Sequence, residues 1–184
     1  MGASSRINGG GLAKTGALLG GASGRSMKMP INKNQSPRLY VWMYPDSRRG
    51  YAGWHLTADN VMSTQLCATI DRMLAGSLSG PSVFPVSAAT QSVLAVPNYR
   101  TNWPLRSAAR SARQLVLTAV EDPRYFALNE DNGVLTVAAG KERLQELREH
   151  IRGITHGRGD LAMGPDTKKR RPADQSLWFW WMLQ

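Results

Sequence analysis

One cysteine, Cys67, stands in 184 residues, which excludes an internal disulfide and a cysteine-built zinc cluster. No apolar run approaches the roughly 20 residues that a membrane-spanning helix needs. Residues 16–24 are too interrupted by glycine to form the apolar stretch of a secretory signal, so a reducing, cytoplasmic setting is expected. The opening Met-Gly-Ala-Ser-Ser-Arg falls short of the myristoylation pattern because Arg6 stands where Ser or Thr is required.

Catalytic signatures are also missing. There is no Gly-x-Ser-x-Gly elbow, and no order of residues favours a Ser-His-Asp arrangement. Gly9-Gly-Gly-Leu-Ala-Lys-Thr15 resembles a phosphate loop only on the surface. Ala13 replaces the glycine before the lysine, and no strand precedes the segment to aim backbone N–H groups at a phosphate. His150, His156 and Asp160 have metal-ligating groups, but their spacing matches no three- or four-ligand site, so neither metal nor cofactor is expected.

Acidic residues are absent from two stretches. Residues 1–37 hold five basic residues and no acid, and between Asp71 and Glu121 there are only Arg72, Arg100, Arg106, Arg110 and Arg113. A third basic run is Lys168-Lys-Arg-Arg171. Residues 38–167, by contrast, hold 14 basic and 12 acidic residues, so the net charge of +10 comes mainly from the ends of the chain.

Residues 1–36 are rich in Gly, Ser, Asn and Lys and have no periodicity, so they cannot offset their ordering entropy by burial. A disordered extension is expected there, with Met27 and Met29 as alternative starts, followed by one compact domain over 37–184. Leu39-Tyr-Val-Trp-Met-Tyr44 and Tyr51-Ala-Gly-Trp-His-Leu56 predict a hairpin across turn-forming residues 45–50. Thr57 is an expected N-cap, with Asp59 in the first turn. Met62, Leu66, Ile70 and Met73 then recur as a helical stripe that ends at Gly76.

Ser82-Val-Phe-Pro-Val-Ser87 predicts an edge strand, because Pro85 cannot donate to a ladder. Residues 91–96 read as a further strand, and Arg106, Arg110 and Arg113 share one face if their segment is helical. Residues 114–120 predict a strand buried on both sides or nearly so, and Asn132-Gly133 predicts a tight hairpin between 124–128 and 134–137. Residues 141–152 form the clearest helix, with Leu144, Leu147 and Ile151 inward and Gly153 as its stop. A short strand is expected at 161–163. Hairpin then helix therefore occurs twice, which suggests a duplication, although this pattern recurs in many α+β folds.

The last nine residues, Ser-Leu-Trp-Phe-Trp-Trp-Met-Leu-Gln184, hold three of six tryptophans and are apolar on both strand faces. Such a strand must lie inside a sheet covered on both sides, or at an interface with another copy. The expected fold is α+β: a mixed or antiparallel sheet of about five to eight strands with two main amphipathic helices on one face.

Three functions fit. The first is a non-catalytic protein-binding or adaptor domain, such as a small inhibitor or an immunity- or antitoxin-type protein. It is favoured by plentiful aromatic residues, among them Trp54, without catalytic constellations. The second is nucleic-acid binding through Arg100, Arg106, Arg110 and Arg113, with Tyr99 and Trp103 interleaved for stacking and Lys168, Lys169, Arg170 and Arg171 adding charge. The third is a small hydrolase-like enzyme using His55 and Asp59, with Asp160 as a further candidate.

Overall fold

The computed structural model describes residues 36, 38–44, 53–96, 109–165 and 176–181, all within the compact unit Ser36–Gln184. The extension expected over 1–36 lies, except for Ser36, outside the described residues. In chain order the elements are β1 (Leu39–Tyr44), β2 (Gly53–Ala58), α1 (Asn60–Leu74), β3 (Ser82–Pro85), α2 (Gln91–Ala95), β4 (Arg110–Ser111), β5 (Gln114–Ala119), β6 (Phe126–Asp131), β7 (Val134–Ala139), α3 (Lys141–Thr155), β8 (Leu161–Met163) and β9 (Leu177–Phe179). The α+β class stands, with the strands divided between two sheets. The five-stranded sheet runs β4-β1-β2-β9-β8 and the four-stranded sheet β3-β5-β7-β6.

The duplication pattern extends much further than hairpin and helix. With α2 and β4 set aside, β1-β2-α1-β3-β5 and β6-β7-α3-β8-β9 have the same order of elements. Each half keeps its own antiparallel hairpin but gives its last two strands to the other half's sheet. Thus β9 lies parallel to β2 with β8 antiparallel beside it, and β5 lies parallel to β7 with β3 antiparallel beside it. The registers agree: Trp54 pairs with Leu177 and Leu56 with Phe179, as Leu135 pairs with Leu115 and Val137 with Leu117.

The helices repeat in detail. Both have 15 residues, and Leu66, Ile70 and Met73 occupy the places of Leu147, Ile151 and Ile154, all buried. Each ends on a glycine of positive φ, Gly76 at +70° and Gly157 at +68°, where an L side chain would be strained. Around them the same two hydrogen bonds form. Gly76 N donates to Met73 O and Ser77 N to Arg72 O, while Gly157 N donates to Ile154 O and Arg158 N to Gly153 O. Gly153 is therefore inside α3 and does not stop it.

The helix starts differ for a visible reason. Asp59, not Thr57, is the N-cap of α1, its Oδ1 accepting from Met62 N at 2.8 Å. Thr57 belongs to β2, and its hydroxyl donates to Trp180 O. At the equivalent place α3 has Gly140, because Pro123 O itself accepts from Glu142 N and a Cβ on Gly140 would lie 1.7 Å from Asp122 O.

Alternation assigns the strand faces. Leu39, Val41, Trp54, Leu56, Leu177 and Phe179 point inward from one sheet, and Phe84, Leu115, Leu117, Leu128, Leu135 and Val137 from the other. They share one core with the inner stripes of α1 and α3. A second cluster, with Tyr40, Trp42, Tyr44 and Trp180 at its centre, fills the outward face of the five-stranded sheet, covered by Val93 and Val96. Residues 91–95, expected as a strand, form the short helix α2, with Thr90 Oγ1 capping Val93 N. Among the described residues no helix is long and apolar enough to cross a membrane.

Candidate functional site

His55 lies on the outward face of β2, completely buried. Its ring stacks between Trp42, 5.2 Å away at 18°, and Trp180, 5.9 Å away at 20°, and meets the edge of Tyr44 at 5.1 Å. Trp180 Nε1 donates to His55 Nδ1 at 2.8 Å. An indole N–H can only donate, so Nδ1 carries no proton here and the ring proton belongs on Nε2. Asp59 is occupied at the start of α1, where its second oxygen accepts from Arg38 N at 2.7 Å. Asp160 is an exposed turn residue with φ 61° before β8, two strands away from β2, or roughly 10 Å across the ladder. The three enzyme candidates therefore occupy three different environments.

Of the nucleic-acid candidates Arg100, Arg106, Arg110 and Arg113, the last two are described, and both make intramolecular contacts. Arg110 is on a strand, not a helix, and pairs with Glu130 at 2.9 Å while its guanidinium lies 5.4 Å from the centre of the Trp54 ring. Trp54 is itself buried in the main core, so its ring is not presented for stacking. Arg113 holds the β6–β7 turn, donating from its backbone to Gly133 O at 2.7 Å and from its guanidinium to Asn132 O. Tyr99, Arg100, Trp103, Arg106, Lys168, Lys169, Arg170 and Arg171 lie outside the described residues.

Helices α1 and α3 are joined by Arg148, whose Nε lies 2.6 Å from Asp71 Oδ1. Towards the C-terminal end of α3, two clefts of about 220 and 330 Å³ adjoin at Arg152 and His156, the larger reaching Ser63 and Cys67. Burial pushes the Cys67 thiol pKa upward, partly countered by Arg148, which keeps sulfur in its less reactive form. Among the described residues no three His, Cys, Asp or Glu side chains are grouped to hold a metal.

His150 turns inward, its ring 4.9 Å from that of Phe179 and its Nε2 3.6 Å from Glu146 Oε1. Burial lowers its pKa below the ordinary 6.5, with Glu146 pulling upward and Arg143 downward. The unfolded chain takes up this proton first as the medium is acidified. Its contribution to stability is complete above about pH 6.5 and is lost as pH falls through and below that value. In His150→Gln the melting temperature should decline less between about pH 7 and about pH 5 than in the parent protein. Parallel declines would show that His150 carries none of the pH dependence.

The outward face of the four-stranded sheet is the feature that sequence reading missed. Cross-strand registers lay it out in rows: Val83-Val116-Thr136-Asn129 in the middle, Thr118-Ala138-Ala127 on one side and Pro85-Gln114-Val134-Asp131 on the other. Val83 is 56% exposed, and neither hydrophobic cluster includes any of these residues. Asp131, at a corner, is their only charge. Of residues 114–120, whose sequence reads as buried on both sides or nearly so, Leu115 and Leu117 are buried while Val116 and Thr118 are partly exposed. The chain matches no family model, no curated protein and no solved structure.

Proposed function

We propose that this chain is a non-catalytic protein-binding module whose docking surface is the outward face of the four-stranded sheet. The observation that carries the reading is a four-strand face with one charged residue, on a chain of net charge +10. Solvated sheet faces ordinarily alternate apolar-in with polar-out, and charged residues are depleted at the centres of interfaces. Val83, Val116, Val134, Ala127, Ala138 and Pro85 supply its apolar area, and Thr118, Thr136, Gln114 and Asn129 are polar but uncharged. The counterpart face of the other sheet has its own cover.

The test compares two surface lysines in nuclease-treated extract of the native host. Val83→Lys places a charge on the face, whereas Val61→Lys places one on α1, where the valine is 51% exposed. A desolvated lysine without a partner should lower recovery of the bound protein by about tenfold or more. Recovery should drop for Val83→Lys alone, at unchanged melting temperature. Equal recovery with both variants, or equal loss, would remove the reading.

A further inference from the structure

We infer that the cleft between α1 and α3 is a binding site for a small phosphate ester. The two helices lie antiparallel, because Asp71 meets Arg148 while Ser63 shares a cleft with Thr155. The internal repeat gives each position a counterpart. At the spacing that matches Leu66 with Leu147 and Gly76 with Gly157, Ser63 falls on Leu144, Leu74 on Thr155, Cys67 on Arg148 and Asp71 on Arg152.

The two ends of the helix pair are thus built from equivalent positions and finished differently. At one end Asp71 binds Arg148, Leu144 is buried and Leu74 packs against the main core. At the other end the same places hold Arg152, Cys67, Ser63 and Thr155. A hydroxyl replaces each leucine, and a thiol faces the arginine in place of an acid. This end holds the cleft of about 330 Å³, a volume that small-ligand pockets occupy.

Ser63 separates this cleft from loose packing. It is only 1% exposed, and its Oγ has no hydrogen-bond partner. A serine inside a helix can bond back to the carbonyl four residues earlier, here Asp59 O, and this one does not. An unpaired buried hydroxyl destabilises the free protein, and a ligand oxygen accepting from it would remove that cost.

Charge sets the ligand class. The smaller cleft of about 220 Å³ meets the larger at Arg152 and His156 and adds Arg158. Arg158 lies against Gly153, where a Cβ would stand 3.4 Å from its own Cβ. The Arg158 guanidinium has no ion pair among the described residues. Glu149 also lines this cleft but is shared between Arg148 at 3.0 Å and Arg152 at 3.3 Å. Three arginines therefore stand against two carboxylates, Asp71 and Glu149, and the site is net positive. Guanidiniums bind phosphate through forked, charge-assisted hydrogen bonds. The phosphate belongs at Arg152 and Arg158, and the hydroxylated remainder of the ester reaches towards Ser63.

Backbone amide resonances of the full chain are followed while glycerol 3-phosphate, inorganic phosphate or acetate replaces chloride at constant ionic strength. Resolution by residue is essential, because the run 168–171 attracts any anion. Glycerol 3-phosphate should shift Ser63, Arg152 and Arg158 saturably, and bind about tenfold or more tighter than inorganic phosphate through the added hydrogen bond. Arg152→Gln and Ser63→Leu should each weaken it by about tenfold or more. Ser63→Leu installs the residue that α3 already has, and should keep or raise the melting temperature. Arg152→Gln alters a side chain that is 53% exposed, so it carries the test even if the leucine variant does not fold. Shifts confined to residues 168–171, shifts that never saturate, or binding that survives Arg152→Gln would overturn the site. Equal affinity for inorganic phosphate or acetate would overturn the ester.

Discussion

A chain that stops at Ser176 will not fold. The missing residues include β9, which lies between β2 and β8 and is the only strand in the sheet that pairs with β8. Leu177, Phe179 and Trp180 are fully buried, the first two in the main core and the third against His55. Truncating a buried leucine costs roughly 2–5 kcal/mol and a buried Phe or Trp roughly 3–5. Three such losses match the whole stability of a typical domain, about 5–15 kcal/mol. Removing the strand also leaves Leu56 O without Trp180 N and the Thr57 hydroxyl without Trp180 O, both inside the protein. Thermal melts followed by far-ultraviolet circular dichroism should show no cooperative transition. A sharp melt near the parent temperature would mean that β9 is dispensable.

Cutting the chain within the exposed Glu121–Asp122 turn should have an effect nearly as large, but a reversible one. Fragments 36–120 and 121–184 each retain a hairpin and a helix, yet each sheet takes two strands from the other fragment. Alone, either fragment exposes both an unpaired strand edge and an apolar helix stripe, so neither has a core sufficient for cooperative folding. An equimolar mixture should form a one-to-one heterodimer whose melting temperature rises with concentration, because folding and association are one event. Analytical ultracentrifugation and calorimetry would check this. A single fragment that melts cooperatively as a monomer would show that strand exchange does not hold the halves together.

Local chemistry made much of this fold legible. The 3.6-residue stripes of α1 and α3, the hairpin at Asn132-Gly133 and the edge position of β3 around Pro85 follow from periodicity and turn preference, and all are present. The C-terminal tryptophans implied a strand covered on both faces, and β9 is one, with Leu177 and Phe179 on one side and Trp178 and Trp180 on the other. Other features were hidden because they depend on distant partners. Two sheets, not one, result from parallel pairings between halves, and no single segment carries a trace of its remote neighbour. Residues 91–95 became helix because Val93 and the following Val96 face the aromatic cluster and Thr90 caps the turn, overriding a weak strand preference. Thr57 and Asp59 both had capping chemistry, and the choice between them was made by where β2 ends.

The candidate face was the least legible feature. A stretch such as Gln114-Leu-Val-Leu-Thr-Ala119 reads as interior, because a β-branched residue in a half-covered strand resembles one in a fully covered strand. Only the sheet order reveals which side has no cover among the described residues. Conversely, His55 invited an enzymatic reading through its neighbours in sequence, while its real neighbours, Trp42 and Trp180, arrive from other strands.

The position of β2 has a mechanical consequence. β1 runs antiparallel to it and β9 parallel, with Leu39 opposite Ala58 and Phe179 opposite Leu56. The first and last strands thus begin and finish at the same rim, separated by a single strand's width on either side. Tension applied between Leu39 and Phe179 would act across the ladders, peeling them open bond by bond, whereas a short covalent bridge there would close the backbone into a ring with little distortion.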